Sequence, residues 1–434
     1  MSPTFVQELE ARNATATTDG PEWLEPIRRA AMERFAATGF PTSKNEEWRF
    51  TPVGPIAQSS WRPAPAKARL NRAALQEFVF GHPEWSSLVF VNGFYRDELS
   101  SAEGLEDGLT VSSLADALRS DGQVLQSHLG RHASLGSSPF TDLNTAVAGE
   151  GALVHVAANA ELARPVHLVF ITTRDAVDSV VQPRNLIVVE RSAKAAVIES
   201  YVTIAAGSPY WTNTVTEVVV GPNAWLEHTR IQRESEAAYH IGATYVDQQR
   251  DSHYRSFTMT MGGALARHTL HARLNNENIE TLLYGLYFTR EEQLADNHTA
   301  IFHDQPNCRS WEVYKGVLDG RSRAVFNGKV FVKPEAQKTD AKQTNRNLLL
   351  SDTAKVNTKP QLEIFADDVK CTHGATVGKL DDMALFYAQT RGVPAAEAQR
   401  LLTYAFAAEV VAEVTVGPVR EELERLVRER LGTI

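Results

Sequence analysis

The chain has 434 residues, of which 43% are hydrophobic and 22% charged, so a globular protein is expected rather than a disordered one. Its net charge of −9 argues against a polyanion-binding surface and therefore against a nucleic-acid partner. Cys308 and Cys371 are the only cysteines, and the sequence shows neither a secretory signal nor an apolar run of roughly 18 residues, which predicts a cytoplasmic protein without disulfides or membrane spans.

The first 150 residues are predicted to form a mixed, mainly helical region. Residues 1–20 are polar and are predicted to fray. Apolar residues at helical spacing predict a helix over 22–39, ended by Gly39. The other predicted features are a polar-aromatic cluster at Asn45-Glu-Glu-Trp-Arg-Phe50, a proline-rich linker at 52–65, a strand at 88–91, and short helices at 71–80, 112–118 and 140–148.

Residues 151–378 are predicted to be entirely β-structure. Short runs rich in Val, Ile, Thr, Tyr and Phe follow one another without a long amphipathic helix. Strands are predicted at 153–156, 166–171, 186–189, 196–204, 214–220, 225–231, 252–261, 264–274, 281–288, 299–302, 310–317, 323–332 and 361–366.

So many strands without crossover helices exclude a doubly wound sheet but leave a sandwich, a propeller or a β-helix. No periodic Trp-Asp blade signature is present. Strict alternation, as in Ser256-Phe-Thr-Met-Thr-Met261, predicts that each strand has one face in water. A stack of coils hides its strand edges along its length, so a β-helix fits these observations best.

Residues 379–434 are predicted to be helical, with helices at 381–391, 394–414 and 418–431. The middle helix is apolar nearly all round, which predicts burial in its own protein or in a partner. The last helix has one apolar stripe and one charged face. Ordinary C-terminal packing and a partner-binding surface are both open interpretations of that stripe.

The most chemically suggestive residues are Cys371-Thr-His373. In a strand, positions 371 and 373 point to the same face, so a thiol and an imidazole would lie side by side. Such a pair suits soft metal or sulfur ligation, or a thiolate activated by histidine. Taken alone, however, so short a motif favours an inert buried thiol and a hydrogen-bonded histidine.

Two alternative activities follow from other residues. His298, His303 and Cys308 are zinc or iron ligand types and allow a mononuclear metal enzyme, although positions 298 and 303 face opposite ways in one strand. The acidic pairs Asp367-Asp368 and Asp381-Asp382 allow a secreted-type β-helix enzyme acting on polysaccharide, although turn or cap roles are favoured because adjacent strand residues diverge. No phosphate loop and no dinucleotide fingerprint is present.

Several longer segments resemble the SufB/SufD family of the Suf iron–sulfur cluster assembly system. They are Tyr314-Lys-Gly-Val-Leu-Asp319, Phe326-Asn-Gly-Lys329, 337–351, 359–378 and Tyr404-Ala-Phe-Ala-Ala-Glu409, with Asn45–Phe50 matching the family's N-terminal region. The form Cys371-Thr-His-Gly-Ala-Thr-Val-Gly378 resembles the SufD branch rather than the SufB branch.

The resemblance implies a mainly β fold: a right-handed parallel β-helix core at 151–378, flanked by the helical or mixed region 1–150 and the helical region 379–434. It implies a cytoplasmic scaffold rather than an enzyme, in complex with a SufB-like subunit and a SufC-like ATPase that supplies the ATP chemistry. The apolar C-terminal helix would contact that ATPase through Leu401, Tyr404, Phe406 and Val410.

The resemblance also assigns an interface role to the Cys371–His373 pair. The histidine matching His373 lies between SufB and SufD and helps to build the nascent cluster with a SufB cysteine, whereas the role of Cys371 is less defined. A cluster usually needs four thiolate or imidazole ligands, so a transient shared cluster is expected, with no cofactor held stably by this chain alone. A homodimer of the isolated chain is also expected to be accessible, because the SufB-facing surface would otherwise expose a strand edge.

Overall fold

The computed structural model describes residues 21–432 except 69, 83, 103–104, 121 and 134–137. The prediction for residues 1–20 lies outside the described part. The fold is mainly strand and forms a parallel β-solenoid of about eight turns, as predicted, with helical regions at both ends of the chain. No helix in the described ranges has both the length and the apolar character needed to cross a membrane.

Two sheets run side by side along the solenoid, and the chain alternates between them. In spatial order, sheet A contains β4 (Leu109–Ser113), β5 (Ala152–Val156), β8 (Arg184–Val189), β10 (Trp211–Val220), β12 (Tyr239–Gln248), β14 (Leu265–Leu274), β16 (Leu294–His303), β18 (Arg323–Val332) and β20 (Lys355–Ile364), with β1 (Arg62–Pro63) and β7 (Ser179–Val181) attached at its side. Sheet B contains β3 (Phe94–Tyr95), β2 (Ser86–Val91), β6 (Val166–Thr172), β9 (Lys194–Thr203), β11 (Trp225–Arg233), β13 (His253–Thr260), β15 (Glu280–Thr289), β17 (Arg309–Leu318), β19 (Asp340–Leu349) and β21 (Lys370–Gly378).

One corner of the solenoid repeats the same backbone geometry in successive coils. Two residues before each strand of sheet B from β9 to β19, the chain adopts a positive φ. Asparagine and aspartate, which tolerate this left-handed conformation, occupy four of these positions. The six residues are Ser192, Asn223, Asp251, Asn278, Asn307 and Lys338. The recurring corner keeps equivalent residues of neighbouring coils in register.

Helices and loops cover the outer faces of both sheets. The helices are α1 (Glu25–Thr38), α2 (Gly54–Gln58), α3 (Arg72–Leu75), α4 (Leu114–Ser120), α5 (Gly122–His128), α6 (Pro139–Ala146), α7 (Asp382–Thr390), α8 (Ala395–Val411) and α9 (Gly417–Leu431). The N-terminal region packs Phe35, Trp48 and Phe140 onto sheet A. Helices α8 and α9 pack onto sheet B, where Val410 and Leu423 meet Phe257 and Met259.

The predicted polar-aromatic cluster docks the N-terminal region on sheet A. The guanidinium of Arg267 lies 3.8 Å from the ring centre of Trp48, and its Nη1 donates to the backbone oxygen of Glu47 at 2.7 Å. Burial opposes ionisation of Asp296, but Arg267 and His298 prevail and lower its pKa to about 2. The buried ion pair therefore stays charged at neutral pH and holds this segment in place.

The prediction that each strand has one face in water is wrong. Ser256, Thr258 and Thr260 are buried, and their strand neighbours Phe257 and Met259 pack outward against the C-terminal helices. The polar side chains thus face the inside of the solenoid. Alternation correctly predicts that this strand has an apolar face and a polar face. The apolar face is covered by the C-terminal helices, so the polar face points into the interior of the solenoid.

Most predicted elements have counterparts, with local differences. The predicted linker 52–65 contains α2, and the predicted helix 112–118 begins as β4 before α4 starts at Leu114. The predicted helix 71–80 shortens to α3. The long strands β12, β19 and β21 and the short strands β1, β3 and β7 are absent from the predicted set.

Candidate functional site at the open end of the solenoid

The last coil of the solenoid, formed by β20 and β21, is not covered by another coil. Within the part of the chain that the structure describes, β20 pairs only with β18 and β21 only with β19, so each presents an edge of backbone N–H and C=O groups without a paired strand. Residues along both strands are exposed or half-buried, whereas β16 is buried almost throughout. We call this surface the open end.

Cys371 and His373 both point inward at the open end. Their Cα partners in β19 are Ala341 and Gln343, which are buried in the interior, whereas Thr372 pairs with the outward-facing Lys342. The two side chains therefore share a face, as period-two alternation predicts. Because no described coil follows β21, its inner face is open to solvent, whereas the inner face of β19 is covered.

The two side chains differ in their surroundings. The His373 side chain is exposed, and its imidazole makes no hydrogen bond to a described residue. Cys371 is half-buried and packs beside Ala341 and Val330. Burial, with a contribution from Asp340, raises the pKa of the Cys371 thiol, so it is a protonated thiol at neutral pH. The pair is thus a free imidazole beside a thiol that His373 does not activate.

A polar interior lies directly beneath His373. Glu312, Gln343 and His373 are consecutive members of one column of sheet B. Gln343 Nε2 donates to Glu312 Oε2 at 2.9 Å. Burial raises the pKa of Glu312 to about 7 despite this hydrogen bond. Sequence reasoning missed both residues, because their link to His373 follows only from the register of β17, β19 and β21.

A second polar chain reaches the open end from the interior. Asn345 Nδ2 donates to the hydroxyl of Tyr287 at 3.0 Å, and Asn347 Nδ2 donates to Asn345 Oδ1 at 2.7 Å. Asn347 also donates to the backbone oxygen of Thr376 in β21 at 3.3 Å. The last strand is therefore anchored to the interior through polar side chains.

Large apolar side chains are exposed around the open end and on the helix that follows it. Phe365 is 58% exposed and Val377 47%. In α7, Met383 and Phe386 are 71% and 60% exposed, and no residue of this helix is buried. Adjacent exposed apolar side chains of this size are typical of protein–protein interfaces.

The four residues of α8 predicted to contact a partner occupy different environments. Leu401 is exposed, Tyr404 and Phe406 are half-buried, and Val410 is buried against sheet B. Nζ of Lys315 donates to the backbone oxygen of Phe406 at 2.8 Å and holds the helix on the sheet. In this arrangement Leu401 is the member of the set that offers most surface to a second chain.

The predicted mononuclear metal site at His298, His303 and Cys308 is wrong. His298 faces outward and lies 3.1 Å from carboxylate oxygens of Glu47 and Asp296. His303 faces inward, with Nε2 2.9 Å from Ser310 Oγ. Burial raises the pKa of Cys308 to about 11. Among the described residues, no group of three or more His, Cys, Asp or Glu side chains is arranged to hold a metal ion.

The acidic pairs have structural contacts rather than a shared groove. Asp381 caps α7, accepting a hydrogen bond from the Met383 amide at 2.9 Å. Asp368 forms an exposed ion pair with Lys338. The two pairs therefore do not form the convergent carboxylates that a polysaccharide-cleaving site needs.

Comparison with known proteins agrees with the resemblance seen in the sequence. Residues 170–406 match the family described as the SufBD core domain of SUF system FeS cluster assembly, and residues 3–168 match the SufBD protein N-terminal region. The chain is 35% identical to the iron–sulfur cluster assembly SufBD family protein slr0076 of Synechocystis sp., over 97% of this chain and 94% of that protein. It is 31% identical to the iron–sulfur cluster assembly protein SufD of Escherichia coli, over 94% and 93%, and 25% identical to SufD of Bacillus subtilis, over 95% and 94%.

Proposed function

Because the chain belongs to the SufB/SufD family of iron–sulfur cluster assembly proteins, we propose that it is a scaffold subunit without ATPase activity. It pairs with a SufB-like subunit at the open end and binds a SufC-like ATPase through its C-terminal helices. The observation that carries this proposal is the uncovered last coil, which presents His373 and Cys371 between free strand edges.

The open end supplies part of a cluster site. His373 offers an imidazole nitrogen and Cys371 a sulfur, which are two of the ligand types that iron–sulfur clusters use. Four ligands are normally needed, so the remaining ligands come from the SufB-like chain. The nascent cluster is the cargo of this interface and is held transiently. His373 is the principal contributor, because the thiol of Cys371 must first lose a proton that burial retains.

The free edges and apolar side chains of the open end favour a second chain. Unpaired backbone groups of β20 and β21 can add a strand from a partner. Phe365 and Val377 lose water contact in such a pair. The same features allow the isolated chain to pair with itself, so a homodimer forms when the SufB-like subunit is absent.

The ATPase contact is assigned to α7 together with the exposed part of α8. Met383, Phe386 and Leu401 are large apolar side chains left in water by the packing of α8 and α9 on sheet B. The sequence has no phosphate loop, so ATP chemistry belongs to the partner.

Co-purification tests the proposal. The tagged chain is expressed with a SufB-like subunit and a SufC-like ATPase and examined by size-exclusion chromatography. We expect one complex containing all three chains, and a dimer when this chain is purified alone. A chain that elutes as a monomer beside both partners contradicts the proposal.

A further inference from the structure

The column that ends in His373 contains an amide whose orientation is fixed. Glu312, Gln343 and His373 have directly paired Cα positions in successive strands of sheet B. Glu312 and Gln343 are each 1% exposed. Gln343 donates through Nε2 to Glu312, so its other amide atom, the acceptor Oε1, is turned away from that carboxylate.

The Oε1 atom of Gln343 has no hydrogen-bond partner among the described residues. A buried carbonyl oxygen without a partner is unusual in folded proteins. Gly328 in β18, on the facing sheet, leaves room for this amide. Any larger residue there would place its Cβ on top of Gln343 Nε2. The next residue of the column, one strand closer to the open end, is His373. Its imidazole also lacks a hydrogen bond to a described residue.

We propose that Gln343 is a positioning residue for His373. The two groups are not hydrogen-bonded in this structure; a rotation of the exposed His373 side chain lets one ring N–H donate to Gln343 Oε1, and Glu312 holds the amide in the orientation that exposes this acceptor. The other ring nitrogen then points out of the open end, free to bind iron. Histidines that bind metals usually donate their second nitrogen to a carbonyl or carboxylate, which fixes the tautomer and the ring direction. This role rests on the proposed function, but the hydrogen bond itself does not.

Nuclear magnetic resonance of the isolated chain tests the hydrogen bond. The ring N–H proton of a freely exposed imidazole exchanges with water too fast to be resolved, whereas a hydrogen-bonded one is protected. With ¹⁵N-labelled histidine, we expect a resolved ring N–H signal that His373→Ala removes. Gln343→Met keeps the side-chain volume and removes the acceptor, so this signal disappears.

Two further variants separate positioning from packing. Gln248→Met makes the same change at another fully buried glutamine, one in β12 that accepts a hydrogen bond from Thr281 far from the open end, and leaves the ring signal unchanged. Glu312→Met keeps Gln343 but frees its amide to rotate, so the signal weakens; this variant carries the test if Gln343→Met does not fold. A wild-type chain without the signal, or a folded Gln343→Met chain that retains it, overturns the proposal.

Cluster formation on the three-chain complex measures the consequence. Gln343→Met is expected to lower the rate about tenfold relative to Gln248→Met, the size of effect seen when an outer hydrogen-bond partner of a metal ligand is removed. A wild-type rate in the Gln343→Met complex overturns the positioning role. If the ring signal behaves as expected but His373→Ala assembles clusters normally, the proposed function fails while the hydrogen bond stands.

Discussion

Buried carboxylates in this solenoid differ in charge because their neighbours differ. Burial opposes ionisation of Glu199, but His228 at 2.8 Å and other hydrogen bonds lower its pKa. Glu312 receives a hydrogen bond from Gln343 but has no cation beside it, and burial raises its pKa to about 7. The two buried carboxylates thus differ in how well their charged forms are stabilised, and the less stabilised one, Glu312, lies near the open end.

Replacing Glu312 by Gln is expected to change how stability depends on pH. In the unfolded chain a glutamate titrates near pH 4.3, roughly, so between that pH and 7 the folded protein binds more protons. Wild-type stability therefore falls as pH rises through this window and levels off above pH 7. Glu312→Gln removes this loss. Thermal unfolding should therefore show that the free energy of unfolding of the variant, relative to wild type, increases by about 3 kcal/mol between pH 4 and pH 8.

The exposed residue Glu421 on α9 provides the control. Glu421→Gln should follow the wild-type pH profile, because its charge is solvated in both states. Parallel profiles for Glu312→Gln and wild type would contradict a Glu312 whose pKa is raised by burial.

The elements of this fold show what a sequence pattern can and cannot predict. Strands such as β18 are apolar enough to predict, but β19 carries polar residues on both faces, because its inward Gln343 and Asn345 belong to the interior network. Hydrophobic alternation assumes an apolar inside, and this interior is partly polar. The C-terminal helices were predicted closely, and the apolar residues of α8 and α9 meet an apolar outer face of sheet B.

Part of the candidate site was predictable from the alternation of side chains along a strand. Period-two alternation alone places Cys371 and His373 on one face. That this face is the solenoid interior, and that β21 ends the stack, depends on the pairing of strands distant in sequence. No local pattern carries that information, so Gln343 and Glu312 could not be connected to His373 from the sequence.

Helix α7 provides a test at the element scale. Met383→Ser with Phe386→Ser removes two of its large, exposed apolar side chains. Binding to the SufC-like ATPase is expected to weaken roughly tenfold or more, because large apolar anchors dominate interface energies. The free energy of unfolding should change by less than about 0.5 kcal/mol, since neither side chain is buried.

Calorimetric titration and thermal unfolding measure these two quantities. Phe50→Ser is the matched control, because Phe50 is also a large, partly exposed apolar side chain but lies beside His298 and Val325 of sheet A, in the N-terminal region. Unchanged ATPase affinity in the α7 double variant would move the contact to another surface.

At the scale of the whole molecule, the two ends of the solenoid are built differently. The first coils finish in short antiparallel strands, with β3 on β2 and β4 on β5. The last coil finishes in the long parallel strands β20 and β21, whose outer edges pair with no other strand among residues 21–432 that are described. Short edge strands discourage further pairing, whereas long free edges invite it. Pairing through the open end, as proposed above, would therefore give a closed dimer rather than a fibre.

Cluster assembly on the reconstituted complex tests the central claim most directly. The complex of this chain with a SufB-like subunit and a SufC-like ATPase is supplied with iron and sulfide, and cluster formation is followed by visible absorption. His373→Ala is compared with Thr372→Ala, which alters the outward neighbour on the same strand. We predict that both variants form the complex, that Thr372→Ala assembles clusters at the wild-type rate, and that His373→Ala assembles them roughly tenfold more slowly. Equal rates for His373→Ala and wild type would contradict the account.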